Sequence, residues 1–274
     1  MADSSEHSTS GTEEDLRGSL TLREALLGRM QGQANRPGSQ VILRALGAVF
    51  RNNILSFRGL SNVGTDRDPF ILALNHTQKL EAPFVPATLG ILRAGKMIRF
   101  IADWNLMLVP GVFFVYRAGE VIVLDRKPAK PAFLNIFRPW LTHKMSAMER
   151  AANLIDQGHS IGIFPEGTTN PNPQRMLRGF YGAAQLSVTK GVPVVPAGIR
   201  FPFHRSDGPI KEMEPMEIEF GCAMQPPETN EKPKRRMVMN YHHAIMQEIS
   251  RLSGKSWQPD FDRKKHVRRE KSQS

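Results

Sequence analysis

Residues 70–81 read FILALNHTQKLE, and how this stretch divides decides the fold. Phe70 to Leu74 is apolar at every position, without the polar alternation of a half-exposed strand. Such a run fits a strand buried on both faces, as in the interior of a parallel sheet. Asn75 and His76 end the run, and Glu81 stands five positions beyond the histidine. On one helix that spacing would set the two side chains about 140° apart, too far round to meet. They meet only if His76 lies in the turn after the strand and Glu81 in the first turn of the next helix. The carboxylate then accepts the Nδ1–H of His76 and fixes its tautomer, leaving Nε2 to take a proton. Taken alone, a histidine so placed is more often a hydrogen-bonded structural residue than a catalyst.

The pattern repeats outward from this point. Further strands are expected at Ile98–Ala102, Glu120–Leu124, Ser160–Phe164, Val192–Ile199 and Met216–Phe220. Helices are expected at Pro83–Leu92, Ser146–Gln157, Met176–Lys190 and Arg235–Leu252. Strands separated by helices predict an α/β fold, a mixed and largely parallel sheet flanked by helices. Ligands of such sheets sit beyond the C-terminal ends of strands. Three of these ends carry polar residues: His76, then Asp125-Arg126, then Pro165-Glu166-Gly167-Thr168.

The N-terminal part differs. Residues 1–18 carry five acids against one arginine and read as a disordered tail. A short helix is expected at Leu20–Met30, then the linker QGQANRPGS, then a longer helix at Ser39–Arg58. In that longer helix Ile42, Leu43, Leu46, Val49, Phe50, Ile54 and Phe57 share one broad face, with Arg44, Arg51 and Arg58 opposite. A basic amphipathic helix of this kind either lies in a membrane interface or packs its apolar face on the domain. The expected organisation is therefore a tail (1–18), amphipathic membrane-associating helices (19–58), an α/β domain (59–252) and a basic tail (253–274).

The chain has 37 Lys/Arg and 26 Asp/Glu, a net charge of +11, which points to an anionic partner. Asp262–Lys271 holds six Lys/Arg. Aromatic RNA-binding motifs are absent, while on charge alone nucleic acid and an anionic membrane surface both stay open. No signal peptide is visible and no apolar run reaches the roughly 18 residues that a spanning helix needs. The single Cys222 excludes an internal disulfide framework and has no placed base. No G-x-S-x-G elbow occurs. Of eight histidines only His242 and His243 are adjacent, and helical neighbours point about 100° apart, so no metal site is expected. In Ile161–Asn170, IGIFPEGTTN, Gly167 lets backbone approach a ligand and exposed N–H groups can hold an anion. From these residues alone an ordinary strand-to-helix turn is the favoured reading.

NHTQKLE (75–81), GEVIVLDR (119–126), FPEGTT (164–169) and VPVVPAGI (192–199) occur in this order. In order and approximate spacing they resemble the four blocks of the glycerolipid acyltransferase family, which includes the lysophosphatidate acyltransferases. The resemblance spans roughly residues 60–200. It implies a membrane-associated enzyme, expected peripherally at the cytoplasmic face on anionic lipid rather than on nucleic acid, that moves an acyl chain from a thioester, on coenzyme A or acyl carrier protein, to a lysolipid hydroxyl, with no cofactor. It assigns His76 as general base and Glu81 as its orienting partner. Arg126 corresponds to the block-II arginine that helps hold the acceptor phosphate. Glu166 and Gly167, with Thr168 beside them, map to the acceptor-binding block.

Two positions depart from the family pattern. Glu81 stands where aspartate is usual, and Thr169 replaces the arginine of FPEGTR. The second departure removes a phosphate contact that Arg175 or Arg178 can replace only if they face the site. A carboxylate at Glu166 should repel phosphate, so it is expected to pair with Arg126 or to hydrogen-bond an acceptor hydroxyl. The alternatives are a transacylase that takes its acyl chain from another phospholipid and an acyltransferase for a non-phosphate acceptor such as lyso-ornithine lipid. Outside enzymes, a basic membrane-binding protein is the remaining reading.

Overall fold

The computed structural model describes residues 16–30, 36–126, 128–228 and 233–261. Its strands are β1 (Leu16–Gly18), β2 (Ile54–Arg58), β3 (Ile71–Leu74), β4 (Arg99–Asp103), β5 (Ile122–Leu124), β6 (Ile161–Ile163), β7 (Val194–Arg200) and β8 (Met216–Phe220). They form one eight-stranded sheet in the order β1-β2-β8-β7-β3-β6-β4-β5. Only the β1/β2 and β7/β8 pairs are antiparallel. The expected mixed, largely parallel sheet is therefore present. β3 lies inside it, parallel to β6 on one side and to β7 on the other.

The apolar run of β3 serves both faces of the sheet. Ile71 and Ala73 belong to one core, and Phe70, Leu72 and Leu74 to the other. Each such large side chain contributes roughly 1.5–3 kcal/mol by leaving water. The first core is closed by α6 (Ala147–Asp156), α7 (Gly182–Lys190) and α8 (Arg235–Ser253). The second is closed largely by α3 (Glu81–Leu92). α8 lies directly on β7, and Gly198 makes this possible. A Cβ there would stand 2.2 Å from the Leu252 carbonyl carbon.

The N-terminal part departs from expectation. The helix foreseen at Ser39–Arg58 is α2 (Pro37–Phe50), followed by a turn at Arg51–Asn53 and then by β2. Ile54 and Phe57 fit a helical stripe, yet both are also fully buried strand positions beside β8. The unpaired edge of β8 decides between them, because its backbone groups need partners. Arg58 therefore leaves the arginine stripe. Leu16–Gly18, expected in a tail, pairs with β2. The apolar face of α2 packs on α1 (Leu22–Leu27) and α3: Leu43 shares a core with Ala25, Ala87 and Ile91, and Phe50 stacks on Phe84 at 4.3 Å. Val41 and Val49 remain exposed.

Two further differences matter for the site. Met176–Tyr181 is not helical, and α7 starts at Gly182. Residues 253–261, placed by sequence in a basic tail, pack on the domain instead. Ser256 bridges Arg175, and Trp257 is buried in the first core. The acidic stretch 1–15 and the basic run Asp262–Lys271 lie outside the described residues.

Residues 104–145 form a lobe that sequence periodicity does not reveal. It comprises the turn Trp104–Leu108, α4 (Val112–Ala118), the turn Ala132–Phe137 and α5 (Arg138–Leu141). These elements share a small core around Trp104, Tyr116, Val123 and Ala129. They leave Phe114, Phe133, Ile136 and Trp140 between 59% and 79% exposed. Among the described residues no helix is long and apolar enough to cross a membrane.

Candidate active site

β3 stops at Leu74 because Asn75 takes over its ladder. The Asn75 Oδ1 accepts from the Ile199 N–H (2.7 Å) and its Nδ2 donates to the Ile199 carbonyl (3.1 Å). The chain then turns, and His76 lands in the turn while Glu81 opens α3. The His76 Nδ1 lies 2.9 Å from Glu81 Oε2. The same oxygen accepts the Thr77 N–H at 2.7 Å. Glu81 is completely buried, so its carboxylate is not shared with bulk water. With Nδ1–H donated to this carboxylate, Nε2 carries the lone pair that can accept a proton. The ring stacks on Phe164 (4.2 Å between centroids), which fixes its plane, and stays 12% exposed. Glutamate in place of aspartate is accommodated because the side chain reaches back from the first helical residue to the turn.

The neighbouring turn follows β6. Gly167 takes φ +65°, a left-handed conformation suited to glycine, and its N–H closes the turn on the Phe164 carbonyl (2.9 Å). Glu166 points inward. Its carboxylate accepts from the His76 N–H (3.3 Å), the Leu177 N–H (2.8 Å) and the Asn170 side-chain amide (2.9 Å). Burial pushes its pKa up, and the amide donors and the Lys255 ammonium pull it back. The Asn170 N–H donates in turn to the His76 carbonyl at 2.7 Å. The two turns are thus stitched together through backbone.

The pairing of Glu166 with Arg126 expected from sequence is not formed. Arg126 donates to the Gly167 carbonyl (2.9 Å), lies over the Phe180 ring (5.2 Å) and stands 3.8 Å from Asp103. Glu166 is bound instead by backbone donors, which need a partner once buried. His76, Glu81, Glu166, Gly167 and Arg126 are brought to one end of the sheet, and Thr168 and Thr169 are half-buried beside them. Arg175 lies over the Phe261 ring (5.0 Å), and Arg178 donates to the Tyr181 hydroxyl (3.3 Å).

Sequence reasoning missed Asn170, Thr77 and Lys255. Asn170 sits in the quoted IGIFPEGTTN, yet nothing in its type signals that it ties two turns. Lys255 is 3% exposed, and its Nζ donates to Thr77 Oγ1 (2.8 Å) and to the Asn170 carbonyl (3.5 Å). In sequence it is one lysine among many near a basic C-terminus. Only the burial of Trp257 two residues on separates it from that run.

Sheet topology, strand-end turns and a buried His–Glu pair define an α/β protein with a polar crevice at the C-terminal ends of parallel strands. The family model described as Acyltransferase matches residues 54–200, more than half of the chain, and the chain belongs to that family. Among curated proteins it is similar to a chloroplastic 1-acyl-sn-glycerol-3-phosphate acyltransferase of Brassica napus, 24% identical over 139 residues. It is likewise similar to a chloroplastic 1-acyl-sn-glycerol-3-phosphate acyltransferase of Arabidopsis thaliana, 24% identical over 143 residues. These stretches are 51% and 52% of this chain, and the chain spans about a third (35%) of each relative's length. Among solved structures it resembles the 1-acyl-sn-glycerophosphate acyltransferase PlsC of Thermotoga maritima. That match has a TM-score of 0.50 and 20% identity, covering 81% of this chain and 80% of the other. This last likeness establishes the shared fold.

Proposed function

We propose that this protein transfers an acyl chain from a thioester to the hydroxyl of a lysolipid, with His76 as general base. Nε2 takes the acceptor's hydroxyl proton as the oxygen attacks the thioester carbonyl carbon. The imidazolium formed is balanced by Glu81. Collapse of the tetrahedral intermediate breaks the carbon–sulfur bond, and His76 returns its proton to the departing thiolate. The observation that carries this reading is the 2.9 Å contact between His76 Nδ1 and a fully buried Glu81 in the segment matched by the family.

The acceptor is a lysophospholipid, with lysophosphatidate first because both plant relatives bear the name of enzymes for that substrate. Arg126, partly exposed above Phe180, would meet its phosphate. The donor is coenzyme A or acyl carrier protein. The test is to incubate purified protein with labelled acyl-coenzyme A and a panel of lysolipids. Acylated product is expected, and His76→Ala should lower turnover on the order of 1,000-fold. Wild-type turnover in that variant would end the general-base reading.

The enzyme sits peripherally on the cytoplasmic face of a membrane, through the 104–145 lobe more than through α2. Support comes from the exposed aromatic and aliphatic side chains of that lobe and from its charges. Asp125 is held by Arg138 (2.7 Å) and Glu120 by Arg99, while Arg117, Lys130 and Lys144 are exposed. Aromatic rings rimmed by cations suit an anionic bilayer surface. Arg126 itself lies within the segment, so docking would bring the lipid to the site. Phe133→Ser/Trp140→Ser should weaken co-sedimentation with phosphatidylglycerol-containing vesicles about 10-fold. Unchanged binding would return the membrane seat to the N-terminal helices.

A further inference from the structure

Glu81 and Glu166 are, at 0% and 1% exposed, two carboxylates withdrawn from water at the same end of the sheet. Both touch the residue that carries the proton chemistry, Glu81 through the His76 ring and Glu166 through its backbone N–H. Two like charges buried together require a compensating charge nearby. Arg126 does not supply it, being engaged with Gly167, Phe180 and Asp103.

Among the described residues the cation that reaches both turns is Lys255. α8 ends at Gly254, whose φ of +72° turns the chain back toward the site. The next residues are clamped by backbone. The Ser256 N–H donates to the Gln174 carbonyl (2.7 Å), the Met176 N–H donates to the Ser256 carbonyl (3.0 Å), and the Trp257 indole donates to the Arg178 carbonyl (3.3 Å). This strap drives the Lys255 side chain inward onto both turns. Its ammonium holds Thr77, the residue after His76, whose N–H shares a Glu81 oxygen with the ring. It also reaches the carbonyl of Asn170, whose N–H holds the His76 carbonyl. Burial lowers the pKa of Lys255, and Glu166 and Glu81 act against that, which agrees with its place between the two carboxylates. Residue 255 lies beyond the stretch matched by the family, 54–200.

We propose that Lys255 is a positioning residue for His76, supplying the buried positive charge that balances Glu81 and Glu166 and holding the His76 turn in register through Thr77. This rests on the general-base reading given above. Lys255 touches no reacting atom; it acts through Thr77 and through the field at the imidazole. Removing a positive charge beside His76 favours the protonated ring, so the base is idle up to a higher pH. A lysine that merely filled space would not move that limit.

The experiment measures kcat/KM against pH for wild type, His76→Ala, Lys255→Met and Glu166→Gln/Lys255→Met, with labelled acyl-coenzyme A and the best lysolipid. Lys255→Met should lose about 10- to 100-fold in kcat/KM and move the acid limb up by about half a unit or more. The double variant, with one charge of each sign removed, should bring the limb back toward wild type. A folded Lys255→Met with the wild-type limb and rate overturns the proposal. If Lys255→Met does not fold, Thr77→Val decides, since it removes the hydroxyl and keeps the shape. A several-fold loss supports the proposal and a wild-type rate overturns it. Undiminished activity in His76→Ala is a separate outcome, which overturns the general-base reading itself.

Discussion

The turns Asn75–Glu81 and Phe164–Asn170 stand side by side, after the parallel neighbours β3 and β6, and each buries one glutamate. Yet the two carboxylates do opposite work. Glu81 gives one oxygen to a side chain with a titratable ring and to a single N–H, and its Oε1 accepts no hydrogen bond among the described residues. Glu166 gives its oxygens to two backbone N–H groups and an amide, and faces no titratable ring. Burial alone therefore does not assign chemistry to a carboxylate; what it faces does. The first turn sets a histidine ring against a carboxylate, and the second is the frame on which that histidine's backbone rests.

The comparison breaks most visibly if each carboxylate is removed in turn. Glu166→Ala leaves two backbone N–H groups and one Asn170 amide hydrogen without an acceptor and removes a charge that opposes the buried Lys255 ammonium. It should lower stability by about 3–5 kcal/mol, read from urea unfolding. Glu81→Ala orphans the Thr77 N–H and should cost only about 1–2 kcal/mol. Its kcat/KM should nevertheless fall on the order of 100-fold, because the ring loses both its tautomer lock and its counter-charge. Glu81→Asp should retain more activity than Glu81→Ala. Equal destabilisation by the two alanine variants, or a larger catalytic loss than stability loss at Glu166, would erase the division of labour.

The same contrast shows what a sequence can carry. β3, β6 and β7 are legible because strands buried on both faces are apolar at nearly every position, and their ends follow from the first polar residue. The His76–Glu81 contact is legible because spacing leaves only one local geometry in which the two can meet. β2 is not, since Ile54 and Phe57 satisfy a helical stripe as well as a strand, and only the open edge of β8 chooses. Leu16–Gly18 is too short for any period to register. The Glu166 network is illegible for another reason: its partners are backbone N–H groups, which every residue has. Lys255 approaches from 178 residues beyond Thr77, through a strap whose docking depends on tertiary structure alone.

The smallest expected difference between the two turns concerns what covers them. The strap 254–257 lies over the second turn, where the Ile210 N–H also donates to the Pro171 carbonyl (2.8 Å). The first turn is held by the loop between β7 and β8, residues 201–215: Gln78 Nε2 donates to the carbonyls of Lys211 (2.8 Å) and Glu214 (3.0 Å), and the Lys79 N–H to Glu212 (3.1 Å). That loop is clipped by His204, whose Nδ1 lies 2.8 Å from Glu214 and whose Nε2 lies 3.0 Å from the Gly208 carbonyl. The hydrogen bond to Glu214 raises the pKa of His204 above the ordinary histidine value. A raised histidine stabilises the fold fully below its unfolded pKa, and that contribution disappears as pH rises through the folded one. Wild type should therefore lose about 1–2 °C more in Tm than His204→Gln between pH 6 and pH 9. Activity should soften over the same range if the loop loosens over Gln78. Parallel Tm curves for the two proteins would mean that the clip contributes nothing and that both turns are held equally at every pH.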